Sequence, residues 1–374
     1  MEYVDLKPVS LKVTKEPLAG DNFIILLKLL AQNKFKIDAR YIPRIIYSIF
    51  LSSVISPFRI SERIRFDKLI NKVEIKDPPI FLLGHWRSGT TYLHNLFSVD
   101  KRFGFFSTFH AYLPGAFLGY EKLMKPIVVS SIPDKRPMDD VKMDADLPQE
   151  DEYAIGAFSP YSYYHGWCFP KNMDFYNRFV CFNDVSKDYI DDWKKVYMYL
   201  IKKVTLKENG KQLVIKNPSN TGRIRLLLEM FPEAKFVHIN RNPYHVFLSM
   251  MRFMRIVIPL YCVQNPPGID IVENSMMDLY MEIYKNYFVE KKLVPNDNFF
   301  EVKYEDFIVN PLDELKKVYD GINIDGFKDS ERTFNAYILS QSDVKRHSYH
   351  LNDELKDKIY SRWGFVFKNF GYER

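Results

Sequence analysis

Short apolar runs alternate with segments of helical spacing from Pro79 to Tyr319, and this alternation predicts the fold class. The apolar runs are Pro79–Leu83, Leu213–Ile215, Lys235–Ile239 and Phe299–Val302. Runs of this length, bounded by Gly, Pro, Asn or Asp, are typical of strands buried in a parallel sheet. Strands that alternate with helices over such a length predict a three-layer α/β fold, a parallel sheet flanked by helices.

Helical spacing follows each of these strands. The predicted helices start at Tyr92, run over Ile224–Phe231, extend from Pro243 through Ser249 and Met250, and run over Leu312–Tyr319. The carboxyl ends of parallel strands meet at one edge of a sheet, where ligands of open α/β folds bind. We therefore expect the chemistry of this protein in the loops at residues 84–91, 216–219 and 240–243.

Two apolar segments, Phe23–Leu30 and Ile45–Phe58, precede the first strand. The second segment is shorter than the roughly 20 residues that a membrane span needs, and an arginine stands at each of its ends. We predict that residues 1–75 form an N-terminal helical extension that packs on a single α/β domain, residues 76–374. A peripheral membrane contact through residues 21–60 is the alternative role for this segment.

The composition is that of a globular enzyme. The 374 residues are 47% hydrophobic and 27% charged, with a net charge of +6 that is dispersed along the chain. Such a charge does not indicate a nucleic-acid partner but suits a small polyanionic ligand. Aromatic residues reach 16%, which fits both an aromatic core and an aromatic-lined pocket for an apolar molecule.

Cysteine usage and the N-terminus indicate the compartment. The three cysteines, Cys168, Cys181 and Cys262, stand far apart in the sequence, without the paired spacing of a metal site. A reducing compartment is therefore expected. Met1–Lys12 alternates in charge and lacks an apolar core, so that it does not resemble a signal peptide. Together these features predict a cytoplasmic protein, with the inner membrane face as the site of any peripheral contact.

The first loop has the glycine spacing of a phosphate-binding loop. In Gly84-His85-Trp86-Arg87-Ser88-Gly89-Thr90-Thr91, two glycines separated by four residues let backbone N–H groups turn toward phosphate oxygens at a helix start. A loop that binds nucleoside triphosphates has lysine at the position of Thr90. In this chain the positively charged residue of the loop is Arg87 instead. The third strand leads into Asn240-Arg241 rather than into an aspartate for Mg²⁺. This P-loop-like arrangement predicts phosphate binding without a metal.

The same loop resembles the 5′-phosphosulfate loop of sulfotransferases that use 3′-phosphoadenosine-5′-phosphosulfate (PAPS). The resemblance is to the arginine form of tyrosylprotein and many bacterial sulfotransferases rather than to the lysine form of the cytosolic steroid and phenol enzymes. It implies that the donor is PAPS and the product 3′,5′-diphosphoadenosine. The residues implied to bind the donor here are Arg87, Ser88, Gly89, Thr90, Thr91 and Tyr92.

Further matches follow in the order of the family and cover most of the chain from Pro79. Arg241 and Ser249 correspond to a pair that holds the 3′-phosphate, for which an arginine fork and a hydroxyl on the same helix face are chemically suited. Lys216 stands where the family has a catalytic lysine. Tyr304 opens a Tyr-Glu-Asp element near the nucleotide, and the segment that contains Ser342 and Lys345 resembles the flap over the adenosine.

These matches imply transfer of a sulfuryl group from PAPS to a hydroxyl group. Lys216 and Arg87 are expected to neutralise charge on the leaving phosphate. The aromatic richness and the apolar N-terminal segments favour a small apolar acceptor such as a sterol or another lipid alcohol. A glycan or phenolic acceptor is the alternative within the family. Outside it, a P-loop nucleotide or metabolite kinase and a non-catalytic PAPS- or lipid-binding protein are the competing hypotheses.

The general base is left open by the sequence. The cytosolic enzymes carry a histidine two residues after the lysine, whereas Pro218 stands there in this chain. His110 is one candidate, close to where the arginine-loop enzymes place a glutamate. Glu150 and Glu152, in a Pro-Gln-Glu-Asp-Glu segment that resembles one from a bacterial subgroup, are the others. Both residue types serve as bases when the surroundings adjust their pKa.

Overall fold

The computed structural model describes residues 6–13, 16–341 and 351–374. Within them, one parallel sheet has the strand order β2-β3-β1-β4-β5. Its strands are β1 (Ile80–Leu83), β2 (Phe103–Gly104), β3 (Gln212–Lys216), β4 (Lys235–Asn240) and β5 (Phe299–Lys303). The predicted parallel sheet is confirmed. The edge strand β2 was missed because two residues are too few to show a pattern.

Helices surround the sheet and also form most of the rest of the described chain. They are α1 (Phe23–Gln32), α2 (Ile42–Lys72), α3 (Thr90–Ser98), α4 (Thr108–Tyr112), α5 (Glu121–Ser131), α6 (Glu152–Phe158), α7 (His165–Cys168), α8 (Met173–Cys181), α9 (Lys187–Lys207), α10 (Ile224–Met230), α11 (Pro243–Tyr261), α12 (Ile269–Glu290), α13 (Tyr304–Val309), α14 (Pro311–Gly321), α15 (Phe327–Ser340) and α16 (Asp353–Phe370).

Strand β1 lies at the centre of the sheet and is fully buried on both faces. Ile80 pairs with Val214 of β3 and with Lys235 of β4. Side chains alternate across a strand, so Phe81 joins the larger apolar core while Ile80 and Leu82 join a second core on the other face. This division into two cores produces the predicted three layers, and it explains why the strand is apolar at every position.

The order of the strands brings the predicted loops together. The chain leaves β1 toward the β2–β3 side, and it later returns to the other side of β1 for β4 and β5. The loops after β1, β3 and β4 therefore open at one edge, where the direction of the connections reverses. Such a switch point forms a crevice at the carboxyl ends of the strands, and the three loops predicted to carry the chemistry lie there.

The N-terminal segment differs from its prediction in one respect. Helix α1 lies as expected, but α2 is a single helix of 31 residues that continues well beyond Phe58. The apolar pattern of the sequence ends at Phe58 because Arg59 and Glu62 are polar, yet both of these residues are buried. Among the described residues, Ala39–Lys72 is the one helical stretch long and apolar enough to cross a membrane by length and composition. Contrary to the expectation from the sequence, this helix is therefore not too short to span a membrane.

Polar contacts hold the inner face of α2 on the rest of the molecule. Arg44 donates to the carbonyl oxygens of Leu260 (2.8 Å) and Cys262 (3.1 Å) and pairs with Glu16 at 2.5 Å. Lys203 of α9 pairs with Glu62 at 2.5 Å. One apolar core extends from Leu18 to Phe370, so the predicted extension shares its core with the α/β part. A domain boundary between residues 75 and 76 stays a prediction.

Candidate active site

The loop between β1 and α3 is shaped to receive an anion. Gly84 donates its N–H to the Thr221 hydroxyl at 2.8 Å, and Ser88 donates its hydroxyl proton to the His85 carbonyl at 2.7 Å. Gly89 has φ +102°, and a Cβ there would lie 2.4 Å from Cδ2 of Tyr304. Only glycine fits both constraints. Helix α3 begins next, and the N–H groups of its first turn face the loop.

Two arginines and a serine meet beside this loop. Arg87 has φ +73° and donates from Nε to the Ser249 hydroxyl at 3.0 Å. Arg241 donates from Nη1 to the Arg87 carbonyl at 3.0 Å and stacks on the Tyr304 ring at 4.4 Å. The Nε of Arg241 is buried and has no hydrogen-bond partner among the described residues. This unpaired donor and the two guanidinium groups are suited to a polyanionic ligand.

The carboxylate of Asp139 bridges Arg87 and a further arginine, Arg136. Asp139 accepts from Nη1 of Arg87 at 2.6 Å and from Nη2 of Arg136 at 2.7 Å. Burial raises the pKa of Asp139, but the two guanidinium groups outweigh it and leave the pKa below its usual value. Neither Arg136 nor Asp139 was predicted from the sequence, because the segment between residues 132 and 147 has no recognisable motif. Asp139 thus ties Arg136 to Arg87 beside the loop.

Lys216 and Glu150 form a buried ion pair at the end of β3. The Lys216 Nζ lies 2.5 Å from Glu150 Oε1, and the Tyr164 hydroxyl donates to the other oxygen, Oε2. Burial lowers the pKa of Lys216, an effect that Glu150 partly offsets. Asn217, the residue after the lysine, turns away toward Asp151. Lys216 and Glu150, which were both predicted as site residues from the sequence, are therefore in direct contact.

An apolar cavity of about 750 Å³ adjoins this ion pair. Arg87, Thr90, Thr91 and Glu150 line it on the side of the loop. Its remaining wall is mainly apolar and combines α2 (Leu51, Val54, Ile55, Phe58), α5 (Leu123, Met124, Ile127, Val128), the start of α6 (Tyr153) and aromatic side chains (Trp86, Tyr112, Tyr164, Trp167, Phe253, Tyr261). A volume of this size holds a small-molecule ligand. The cavity joins the anion-binding loop to the N-terminal helices.

Comparisons with known proteins agree with this geometry. The sequence model of the Sulfotransferase family matches residues 78–329, which span the sheet, the loop, Lys216 and the two arginines. The chain belongs to the Sulfotransferase family. The enzyme is also 30% identical, over 95% of its length and 91% of theirs, to proteins from Mycobacterium bovis and Mycobacterium tuberculosis named omega-hydroxy-beta-dihydromenaquinone-9 sulfotransferase Stf3.

Solved structures show the same fold. The sulfotransferase resembles STF1 of Mycobacterium tuberculosis with a TM-score of 0.63 and 17% identity, over 90% of both chains. It resembles STF9 of Mycobacterium avium with a TM-score of 0.64 and 14% identity, over 95% of this chain and 97% of the other. The predicted fold, family and sulfotransferase activity are confirmed. The kinase and the non-catalytic binding protein are therefore set aside.

The carboxylate of Glu152 in the sulfotransferase is held in place by buried polar partners. It is fully buried and forms an ion pair with Arg223 at 2.8 Å. It also accepts hydrogen bonds from the Ser162 hydroxyl (2.8 Å) and the Asn217 side chain (2.8 Å). Burial raises its pKa, but Arg223 outweighs this and leaves the pKa below its usual value. Glu152 also lies among the residues that line the cavity, but a carboxylate with both oxygens engaged is poorly placed to accept a proton.

His110 lies in a helix cap away from the ion pair. Its Nδ1 accepts the N–H of Ser107 at 3.3 Å, while the Ser107 hydroxyl accepts the N–H of His110, a reciprocal cap of α4. The ring packs on Phe117 with centroids 4.6 Å apart. Burial, reinforced by Lys207, lowers the pKa of His110 to about 4. The imidazole is a buried neutral group of the core, and it does not line the cavity.

The remaining predicted donor residues fall into three groups. Ser88, Gly89, Thr90 and Thr91 lie in or next to the loop as expected. Tyr92 donates its backbone N–H to the Gly89 carbonyl at 3.0 Å, and its ring packs on Phe307 and Tyr337; its contact with the donor stays a prediction. Ser342 and Lys345 lie outside the described residues. Among those described, no three His, Cys, Asp or Glu side chains cluster as metal ligands would, and metal independence stays a prediction.

Proposed function

We propose that this sulfotransferase moves the sulfuryl group of PAPS to the hydroxyl of an apolar lipid alcohol, with Glu150 as general base. One observation carries the proposal. Glu150 stands where the anion-binding loop meets the apolar cavity, with Lys216 on one carboxylate oxygen and Tyr164 on the other. A hydroxyl that enters from the cavity meets this carboxylate before it meets the donor.

The donor fits the polar half of the site. The 5′-phosphosulfate is assigned to the loop with Arg87, Thr90 and Thr91, and the 3′-phosphate to Arg241 and Ser249. Ser249 already contacts Arg87 at 3.0 Å, so that the two phosphate positions are neighbours, as they are on a single nucleotide. The buried, unpaired Nε of Arg241 supports a phosphate there, since a buried donor without a partner is costly.

The reaction follows from these positions. The acceptor oxygen forms a bond to sulfur while the bond between sulfur and the bridging oxygen of the donor breaks. The acceptor proton passes to the Glu150 carboxylate. Negative charge grows on the departing 3′,5′-diphosphoadenosine, and Lys216, Arg87 and the N–H groups of the loop stabilise it. Lys216 contacts Glu150 in this structure and is proposed to contact the leaving phosphate when the donor is bound. The same lysine therefore links the base to the leaving group.

The character of the cavity supports a lipid alcohol over a glycan. Sugar hydroxyls buried against Leu51, Ile55 and Met124 would lose their hydrogen bonds to water without replacement, which is costly. A long apolar chain loses nothing there and gains from burial. The Stf3 proteins, at 30% identity, are named for a hydroxylated menaquinone derivative, and this name also supports a lipid alcohol as the acceptor class.

We place the enzyme in the cytoplasm, at the inner membrane face. Cys168, Cys181 and Cys262 are buried free thiols, as expected in a reducing compartment. Residues 21–60 supply the proposed membrane contact. They contain α1 and the first half of α2, which expose several apolar side chains, among them Ile24, Ile46 and Phe50.

The test is a transfer assay with ³⁵S-labelled PAPS. Primary alcohols of increasing isoprenoid or alkyl chain length would be compared with a sterol, a phenol and a free sugar, all with a chelator present. We expect labelled product from the lipid alcohols and a rise in kcat/KM with chain length up to the capacity of the cavity. Transfer to the sugar but to none of the lipids would contradict the acceptor class, and transfer that requires a divalent metal would contradict the mechanism.

A further inference from the structure

The outer face of α2 carries no charged residue over its first half and is apolar except at Ser53. The exposed residues between positions 42 and 60 are Ile42, Pro43, Ile46, Phe50, Ser53, Val54, Pro57 and Ile60. None of them is charged. Ile42, Ile46, Phe50 and Val54 recur every four residues and so form one stripe; Ile46 is 61% exposed and Phe50 64%. We call Ile42, Ile46, Phe50 and Val54 the α2 stripe. Contiguous exposed apolar surface of this kind marks an interaction site.

The stripe reaches the opening of the acceptor cavity. Val54 is exposed and also lines the cavity, as do Leu123 and Ile127 of α5. The two helices are joined beside this opening, where Phe58 packs edge-on against Tyr120 at 5.1 Å and the Tyr120 hydroxyl donates to Ser61 at 2.7 Å. The residues that open the cavity therefore belong to the same apolar surface as the stripe.

We propose that the α2 stripe and the exposed side of α5 lie in the interface of an anionic bilayer, and that the lipid alcohol enters the cavity sideways between Val54, Leu123 and Ile127. This inference rests on the proposed acceptor class. The exposed charged residues nearest to the stripe along the chain, Arg40 before α2 and Arg63 and Arg65 within it, are all positive. An apolar helix face with basic flanks is the pattern of helices that lie in the plane of an anionic membrane.

Two other roles for the surface fit the structure less well. If α2 crossed the bilayer, Arg44, Arg59 and Glu62 would leave their buried partners and face lipid, which is costly for charged groups. If a second copy of the chain covered the stripe, it would also cover Val54 and close the cavity to its acceptor. A membrane instead delivers the acceptor at the opening itself.

Vesicle flotation tests the surface. The parent would be compared with the double variant Ile46→Ser/Phe50→Ser and with the control Val309→Ser/Leu339→Ser, whose parent side chains are 70% and 73% exposed. We expect the parent to float with vesicles of phosphatidylglycerol more strongly than with phosphatidylcholine. The double variant should lose about tenfold in partitioning and the control almost nothing. Equal partitioning of all three proteins, or a parent released only by detergent, would overturn the proposal.

Kinetics test the entry route. With the lipid alcohol in vesicles, the double variant should lose about as much rate as it loses in partitioning. With a short alcohol free in solution, it should match the parent. Loss with both substrates, or a parent dimer that the double variant converts to a monomer, would refute membrane loading. If instead no alcohol accepts sulfate while vesicle binding depends on the stripe, the proposed acceptor class fails and the surface stands.

Discussion

The donor half and the acceptor half of this active site are built in different ways. The donor half consists of short loops at the ends of neighbouring strands, in which Arg87, Arg241 and Ser249 contact one another directly. The acceptor half combines α2, α5, Glu150 and aromatic residues that are far apart in the sequence. Backbone geometry dictates residues in the first half, as with Gly89 beside Tyr304. In the second half, apart from Glu150, size and apolar character matter more than residue identity, so that many sequences could serve.

The proton-accepting role of Glu150 is the largest single effect that the acceptor half should show. Glu150→Gln keeps the size of the side chain but removes the base, so turnover should fall by about 10²–10⁴-fold. Calorimetric affinity for 3′,5′-diphosphoadenosine should not fall, while the melting temperature should drop because the buried Lys216 loses its counter-charge. Tyr164→Phe, which removes one hydrogen bond to Glu150 but keeps the carboxylate, is the matched control and should cost only a few-fold. Comparable losses for both variants would remove Glu150 as the base.

The 3′-phosphate contact is the corresponding effect in the donor half. Arg241→Ala removes a charged hydrogen-bond donor, which should cost about 1.5–3 kcal/mol in binding of 3′,5′-diphosphoadenosine. Ser249→Ala should cost less. Isothermal titration with adenosine 5′-monophosphate, which lacks the 3′-phosphate, supplies the control, and there the loss should nearly vanish. If both nucleotides weaken equally, Arg241 supports the loop rather than the phosphate.

The neutral, structural state of His110 predicts a pH effect on stability. Its pKa is about 4 in the folded protein and near 6.5 when unfolded. The unfolded chain therefore binds more protons between pH 6.5 and 4, and the folded state loses stability as the pH falls through this window, by up to about 1.4 kcal/mol per pH unit. His110→Gln should remove this share of the slope in urea unfolding while turnover stays near that of the parent. If His110→Gln instead lost much of its turnover at unchanged stability, His110 would have to take part in the reaction.

The contact of Asp139 with the arginines should give the smallest effect. A donor phosphate competes with this carboxylate for Arg87, so Asp139→Asn should tighten binding of 3′,5′-diphosphoadenosine by about two- to fivefold, in line with the roughly 0–1 kcal/mol of an ion pair that water reaches. The gain should shrink in high salt. Asp140→Asn is the matched control one residue away. Weaker binding in Asp139→Asn alone would show that the carboxylate positions the arginines instead.

Several donor residues could be identified from sequence because their chemistry is local. Gly84 and Gly89 are needed for backbone angles that other residues rarely adopt, and Arg87 follows from the missing lysine of the loop. Lys216 and Arg241 each stand immediately at the end of a strand, where the register of a parallel sheet fixes their position. Tyr92 follows the same motif, yet its ring packs on Phe307 and Tyr337, a contact that a linear pattern does not reveal.

The tertiary structure alone decided the acceptor half. Three acidic residues in a row, Glu150, Asp151 and Glu152, look alike in the sequence, but the start of α6 directs Glu150 to Lys216 and buries Glu152 on Arg223. His110 is a candidate base in the sequence, and its place in the cap of α4 is known only from the structure. The length of α2 was hidden because its buried face is polar where it meets α9. For the two glutamates and for α2, the deciding contacts come from residues distant in the chain, and no spacing within one segment encodes them; the cap of His110, by contrast, is a local contact with Ser107.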